Sequence, residues 1–289
     1  MKSLHSNILG EGDNHLIILH GFLGMSDNWK TQGNIFAKNG FKVHLLDQRN
    51  HGRSFWNKDF NYKVLAQDLL IYMDKQNIKN TILIGHSMGG KTAMEFSIKF
   101  PERIKKLVVI DISPKKYVSN HDKILAGLAS FHFRIIKTRK EADIHLSEYV
   151  TETQVRQFLL KNLYWKTQGR LGLRLNISVL KNSSEEISKE IEFSKTYNNY
   201  VLFVKGENSD YIVDEDLKLI SKYFPKSKVK KIKNAGHWVH VENHKDFIHT
   251  INTYLVSLCE YFLQCALYVV CLYVSPENVP PACVAPPCA

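Results

Sequence analysis

A chain of 289 residues, 44% hydrophobic and 23% charged, has room for one large α/β domain, or one domain with an insertion, and its composition is that of an ordinary globular protein. The net charge of +11 comes from lysines spread along the whole length, with no Arg/Lys block and no nucleic-acid motif, so it reads as a basic solvated surface and not as a nucleic-acid partner's footprint. No cysteine precedes Cys259, which excludes a disulfide framework for the body; with an N-terminus lacking the apolar core of a signal peptide, the expected location is cytoplasmic.

In chain order, residues 4–9 read as a first strand ending at Gly10-Glu11-Gly12. The run Leu16-Ile17-Ile18-Leu19 suits a strand buried on both faces, and it enters the turn His20-Gly21-Phe22-Leu23-Gly24, whose glycines allow a backbone N–H to turn inward. A helix over 29–38 stops at Asn39-Gly40, and 41–46 forms the next strand. The polar loop 47–54 follows; Arg49, His51 and Ser54 read as structural, with His51 packed under the glycine turn. Residues 62–76 form an amphipathic helix with Leu65, Leu69 and Met73 on one face.

The stretch Thr81-Ile82-Leu83-Ile84-Gly85-His86-Ser87-Met88-Gly89 organises the rest. It is G-x-S-x-G between a predicted strand and a predicted helix, the setting in which a serine hydroxyl is held clear of a sheet on a strained turn. The helix that begins there directs backbone N–H groups towards negative charge forming near Ser87. Residues 106–110 are another buried strand, and Asp111 stands at its carboxyl end, on the ligand side of such sheets.

From 115 to 199 the alternation of strand and helix breaks. Helices are expected over 122–131, 138–149, 151–163 and 177–191, with Thr138/Glu141 and Thr151/Gln154 spaced as capping boxes, and Gly169 marks a hairpin within 164–175. An insertion of this kind covers a site as a lid, and Phe131, Phe133, Phe158, Leu159, Tyr164 and Trp165 are candidates to line its pocket. Strands at 200–204 and 229–232 resume the sheet. His237 lies in a glycine-containing loop after the last of these, where a catalytic base is expected, whereas His240 and His244 read as structural. A terminal helix covers 245–256. The apolar stretch 258–274 and the Pro/Cys-rich end match no zinc spacing; the tail offers the only route to a membrane that the sequence suggests.

Taken together, Gly85-His86-Ser87-Met88-Gly89-Gly90-Lys91, Asp47-Gln48-Arg49-Asn50-His51-Gly52, Asp111-Ile112-Ser113-Pro114, Gly206-Glu207-Asn208-Ser209 and Asn234-Ala235-Gly236-His237-Trp238 resemble the bacterial YbfF-type esterases and the eukaryotic α/β-hydrolase-domain protein 11 group, from about residue 16 to 256. The resemblance implies an α/β-hydrolase fold: a mostly parallel sheet flanked by helices, with a helical lid. It gives a core of 1–113 and 200–257, a cap of 114–199 and an extra tail of 258–289. It further implies a serine hydrolase of small carboxylic esters or acyl thioesters working through an acyl-enzyme, with no cofactor and no metal. Ser87 is then the nucleophile, His237 the base, and the backbone N–H groups of Phe22 and Met88 the oxyanion hole. In most α/β-hydrolases the acid follows the strand at 200–204, where this chain has Ser209 followed by Asp210; the YbfF-like pattern puts it at Asp111 instead. Ser209 and Asp210 stay as alternative or supporting residues. The competing classes are a non-catalytic ligand-binding protein on the same fold and a cofactor-free lyase or perhydrolase.

Overall fold

Runs of branched apolar residues without a polar break need cover on both faces, and that requirement builds the sheet. A computed structural model describes residues 2–118 and 121–256. The strands are β1 (His5–Leu9), β2 (Asn14–Leu19), β3 (Phe41–Asp47), β4 (Thr81–His86), β5 (Ile104–Ile110), β6 (Leu163–Thr167), β7 (Arg170–Leu173), β8 (Val201–Gly206) and β9 (Ser227–Ile232). Seven of them form one sheet in the order β1-β3-β2-β4-β5-β8-β9. β1 runs antiparallel to β3 at one edge, and every other pairing is parallel. β6 and β7 make a separate antiparallel hairpin, turning at Gly169 with φ of 71°.

Helices α1 (Lys30–Lys38), α2 (Tyr62–Lys75) and α3 (Met88–Lys99) precede β5. Between β5 and β8 come α4 (Asp122–Ala129), α5 (Arg139–Ser147), α6 (Thr153–Leu160), the hairpin, α7 (Ile177–Asn182) and α8 (Ser184–Ser188). α9 (Asp216–Tyr223) and the short α10 (Val239–Glu242) flank β9. One apolar cluster joins α2, α3 and the sheet through Leu69, Met73, Met94, Phe96 and Phe203. A second packs the inserted helices onto Leu23, Leu65 and Met88 through Leu125, Leu146 and Leu159.

The chain divides into two compact units, Met1–Asn243 and His244–Ala289. The second is described through α11 (His244–Val256), with Phe247, Ile251 and Leu255 at four-residue spacing. The tail 258–289 and its cysteines lie outside the described residues. Among the described residues no helix is long and apolar enough to cross a membrane.

Two expectations for the insertion are corrected. Residues 177–191 do not form one helix: the chain breaks at Ser183 (φ −105°, ψ 7°) between α7 and α8, within Asn182-Ser183-Ser184, a run of residues of low helix propensity, and residues 189–191 leave the helix altogether. Thr151 does not cap α6: the helix begins at Thr153, two residues after Thr151, with Glu152 at the cap position and no side-chain cap, while the Thr151 carbonyl accepts from Arg156 Nη1 at 2.8 Å. Thr138 does cap α5, accepting from Glu141 N at 3.1 Å.

Candidate active site

Parallel register sets the site. β4 and β5 end level, with His86 opposite Ile110, so the next residues, Ser87 and Asp111, leave the sheet side by side. Ser87 N donates to Ile110 O at 3.0 Å, and Asp111 N donates to Val204 O at 2.8 Å. Both leave with positive φ, 53° at Ser87 and 50° at Asp111, a conformation that costs roughly 1–3 kcal/mol for a non-glycine residue and persists only where its surroundings enforce it. Glycine is needed on either side of Ser87: a Cβ on Gly85 would stand 2.2 Å from Gly89 O, and one on Gly89 2.4 Å from Leu19 O.

Asp111 is fully buried, and its carboxylate gathers three donors. Gly206 N reaches Oδ1 at 3.0 Å; His237 Nδ1 reaches Oδ2 at 2.8 Å; the Ser209 hydroxyl also donates to Oδ2. With Nδ1 committed to Asp111, Nε2 is the imidazole nitrogen left for a reacting hydroxyl. Tyr211 stacks on His237 with ring centroids 3.7 Å apart and planes at 20°. Asp210, between Ser209 and Tyr211, is exposed. The loop after β8 thus turns residues 209 and 211 in to the site and residue 210 out.

His86 supports His237 from below. Its Nε2–H donates to the His237 carbonyl at 2.9 Å. Burial, followed by the neighbouring His237 and His240, pushes its pKa well below the usual histidine range, so the ring is neutral.

The turn 20–24 is fixed on both sides of Phe22. His20 Nδ1–H donates to Gly21 O at 2.8 Å, and His20 Nε2 accepts from Gln48 N at 3.0 Å. Gln48 also donates to His20 O at 2.8 Å and accepts from Thr92 Oγ1 at 3.0 Å. Leu23 N donates to His51 Nε2 at 3.2 Å, and His51 Nδ1–H donates to Arg49 O at 2.9 Å. Burial pushes His20 down to about 4 and His51 to about 3, which keeps both acceptor nitrogens free of protons at neutral pH. His51 therefore lies under the turn as a support. Ser54 and Arg49 are likewise structural: Ser54 Oγ accepts from His5 N at 2.8 Å, and Arg49 Nη2 pairs with Asp68 at 2.7 Å. His240 stacks on Trp29 at 3.9 Å.

Ser87, His237, Gly21, Phe22 and His86 border one cavity of about 500 Å³, whose further lining is apolar at Leu23, Ile124, Val155, Phe158 and Trp238 and polar at Lys123 and Glu152 among others. The expectation that six aromatic and apolar residues of the insertion share this pocket holds only for Phe158 and Leu159. Phe131, Phe133 and Tyr164 border a separate groove, and Trp165 is exposed. The two hollows lie against successive turns of α4, Ile124 bordering one and Leu128 the other. Sequence reasoning missed His86, Tyr211 and Trp238; each adjoins a motif residue, but its role depends on a contact across the fold. Among the described residues no group of three His, Cys, Asp or Glu side chains could hold a metal ion.

The chain is 36% identical over 249 residues to the sn-1-specific diacylglycerol lipase ABHD11 of Xenopus laevis, covering 84% of this chain and 80% of that one. Esterase YbfF of Escherichia coli is 33% identical, covering 83% and 92%. Among solved structures, a marine microorganism esterase superposes with a TM-score of 0.84 at 41% identity, covering 87% of this chain and 98% of that one. Residues 14–244 match the family described as the alpha/beta hydrolase fold, and the chain belongs to that family.

Proposed function

We propose that the chain is a serine hydrolase of carboxylic esters, extending to acyl thioesters, and that Ser87, His237 and Asp111 carry the reaction. Ser87 Oγ attacks the acyl carbonyl while His237 Nε2 takes its proton. The negative charge forming on the carbonyl oxygen is met by the N–H groups of Phe22 and Met88. The C–O or C–S bond then breaks, and His237 returns the proton to the leaving alcohol or thiol. Water, deprotonated by the same imidazole, attacks the acyl carbon; the bond to Ser87 Oγ breaks, His237 returns the proton to Oγ, and the acid leaves. Asp111 fixes the tautomer and orientation of His237 and balances its transient charge.

The observation that carries this reading is the 2.8 Å contact between His237 Nδ1 and Asp111, beside a serine held at positive φ. The apolar part of the cavity's lining, Ile124, Val155, Phe158 and Trp238, supports an acyl chain as the group bound, and its volume of about 500 Å³ supports a small ester. Residues 114–199, which contribute Ile124, Val155 and Phe158, act as the lid over it. The names of the relatives, esterase and diacylglycerol lipase, support ester substrates. The cysteine-free body supports a reducing, cytoplasmic setting. The test is fluorophosphonate labelling with a p-nitrophenyl ester series of increasing chain length. Labelling at Ser87, lost in Ser87→Ala together with turnover, is expected; turnover that survives in Ser87→Ala overturns the reading.

A further inference from the structure

The groove at the next turn of α4 contains none of the residues assigned to the ester chemistry. It encloses about 520 Å³ between the hairpin β6–β7, α7 and the end of α4. Its floor is apolar, with Phe131 and Leu171 buried and Phe133 and Leu173 half-buried. Its charged side chains are Lys166, Arg170 and Lys181, all exposed, and among the described residues lining it there is no aspartate or glutamate. Trp56, from the loop after β3, borders the groove with 53% of its surface open to solvent.

We propose that this groove docks the protein on a bilayer surface containing anionic phospholipid. The apolar floor receives part of an acyl chain, and the three cations meet the phosphate and the negative surface potential around it. Trp56 is suited to the level of the headgroups, where an apolar ring with one polar N–H is best accommodated. Charge complementarity selects this occupant. A nucleic acid would use the cations but not the floor, and a neutral apolar partner would use the floor but gain nothing from a rim of one sign. The chain's net charge of +11 favours the same encounter. The sequence suggested membrane contact only through the tail; the groove is a separate surface within the described residues.

The experiment is co-sedimentation of the full chain with vesicles of phosphatidylcholine alone and with about 30% phosphatidylserine, the anionic fraction that creates a surface potential. Binding is expected only to the anionic vesicles, and it should weaken as salt is raised. Charge reversal at Lys166→Glu, Arg170→Glu and Lys181→Glu together should lower partitioning about a hundredfold, and each alone about fivefold, with thermal midpoints near the parent's. Trp56→Ala should also weaken binding. If the triple variant does not fold, the single reversals decide. The stretch 258–274 is present in every variant, so binding through it would survive the reversals. Equal binding to both vesicle types, no binding to either, or parent-like binding by the reversed variants overturns the proposal. Saturation of the groove by free laurate, with no binding to vesicles, would assign it to a soluble amphiphile and overturn it as well.

Discussion

Ser209 and His237 meet on one atom, Oδ2 of Asp111, approaching from the loops that follow two different strands. The hydroxyl is one of three donors that hold the carboxylate, so its loss should leave Asp111 less firmly oriented but present. Ser209→Ala is expected to lower kcat by roughly tenfold, the worth of one hydrogen bond to a charged group. KM should change little, because Ser209 is not among the residues bordering the cavity. Steady-state kinetics on a soluble nitrophenyl ester check this; an unchanged kcat would mean that Gly206 N alone orients the acid.

His51 ties the turn 20–24, proposed above to hold the oxyanion, to the loop after β3 through Leu23 N. His51→Phe removes the acceptor and strands that N–H, so we expect kcat to fall by roughly tenfold as Phe22 N drifts from its aim. The same histidine adds an acid-side signature. Its folded pKa of about 3 lies below the unfolded value of 6.5. As pH falls below 6.5 the unfolded chain takes up the proton and the folded chain does not, so stability is lost down to about pH 3. His20, at about 4, acts in the same direction. Thermal midpoints measured from pH 7 to 4 should fall less steeply in His51→Phe than in the parent.

Lys91 is 1% exposed, yet its ammonium has no carboxylate at ion-pair distance among the described residues. It donates to Lys115 O at 2.8 Å and to Lys189 O at 2.6 Å, one at each end of the insertion, and lies 5.0 Å from the Tyr117 ring centre. Burial pushes its pKa from 10.5 down to about 7. Between those values the unfolded chain holds a proton that the folded chain has released, so stability rises with pH across this window and is flat in this respect below it. Lys91→Met should abolish that rise. The difference in thermal midpoint between parent and variant, followed from pH 7 to 10, reads the effect directly. The variant should also open the insertion's two stems to protease, since both carbonyls lose their donor.

Much of this site was legible in the chain. The strand–turn–helix around Ser87, the carboxyl-end position of Asp111 and the post-strand loop of His237 are local features, and local features survive being read in one dimension. Ser209 was legible for a similar reason: its place after β8 is where an acid is otherwise expected. Tyr211 and His86 were not, because their roles are contacts made across the fold, one stacking on His237 and the other holding its carbonyl. Lys91 was read as part of a motif and not as a clamp, since its partners are main-chain carbonyls, which carry no side-chain signature. The insertion was read least well. At Ser183 the backbone leaves helical geometry within a run of short polar residues, α6 starts two residues after Thr151, and the aromatic residues of the insertion divide between two hollows that sequence spacing does not distinguish.

The central claim is that the acid of the site is Asp111, and paired substitutions test it most directly. Asp111→Asn keeps the size of the side chain and removes its charge, so His237 loses the partner that fixes its tautomer; the well-studied serine-protease example loses about 10⁴ in turnover on such a change, and we expect a fall of roughly two to four orders of magnitude in kcat here. Asp210→Asn, at an exposed position, should change kcat by less than about tenfold. A nearly normal Asp111→Asn beside a crippled Asp210→Asn would contradict the account and move the acid to the loop after β8.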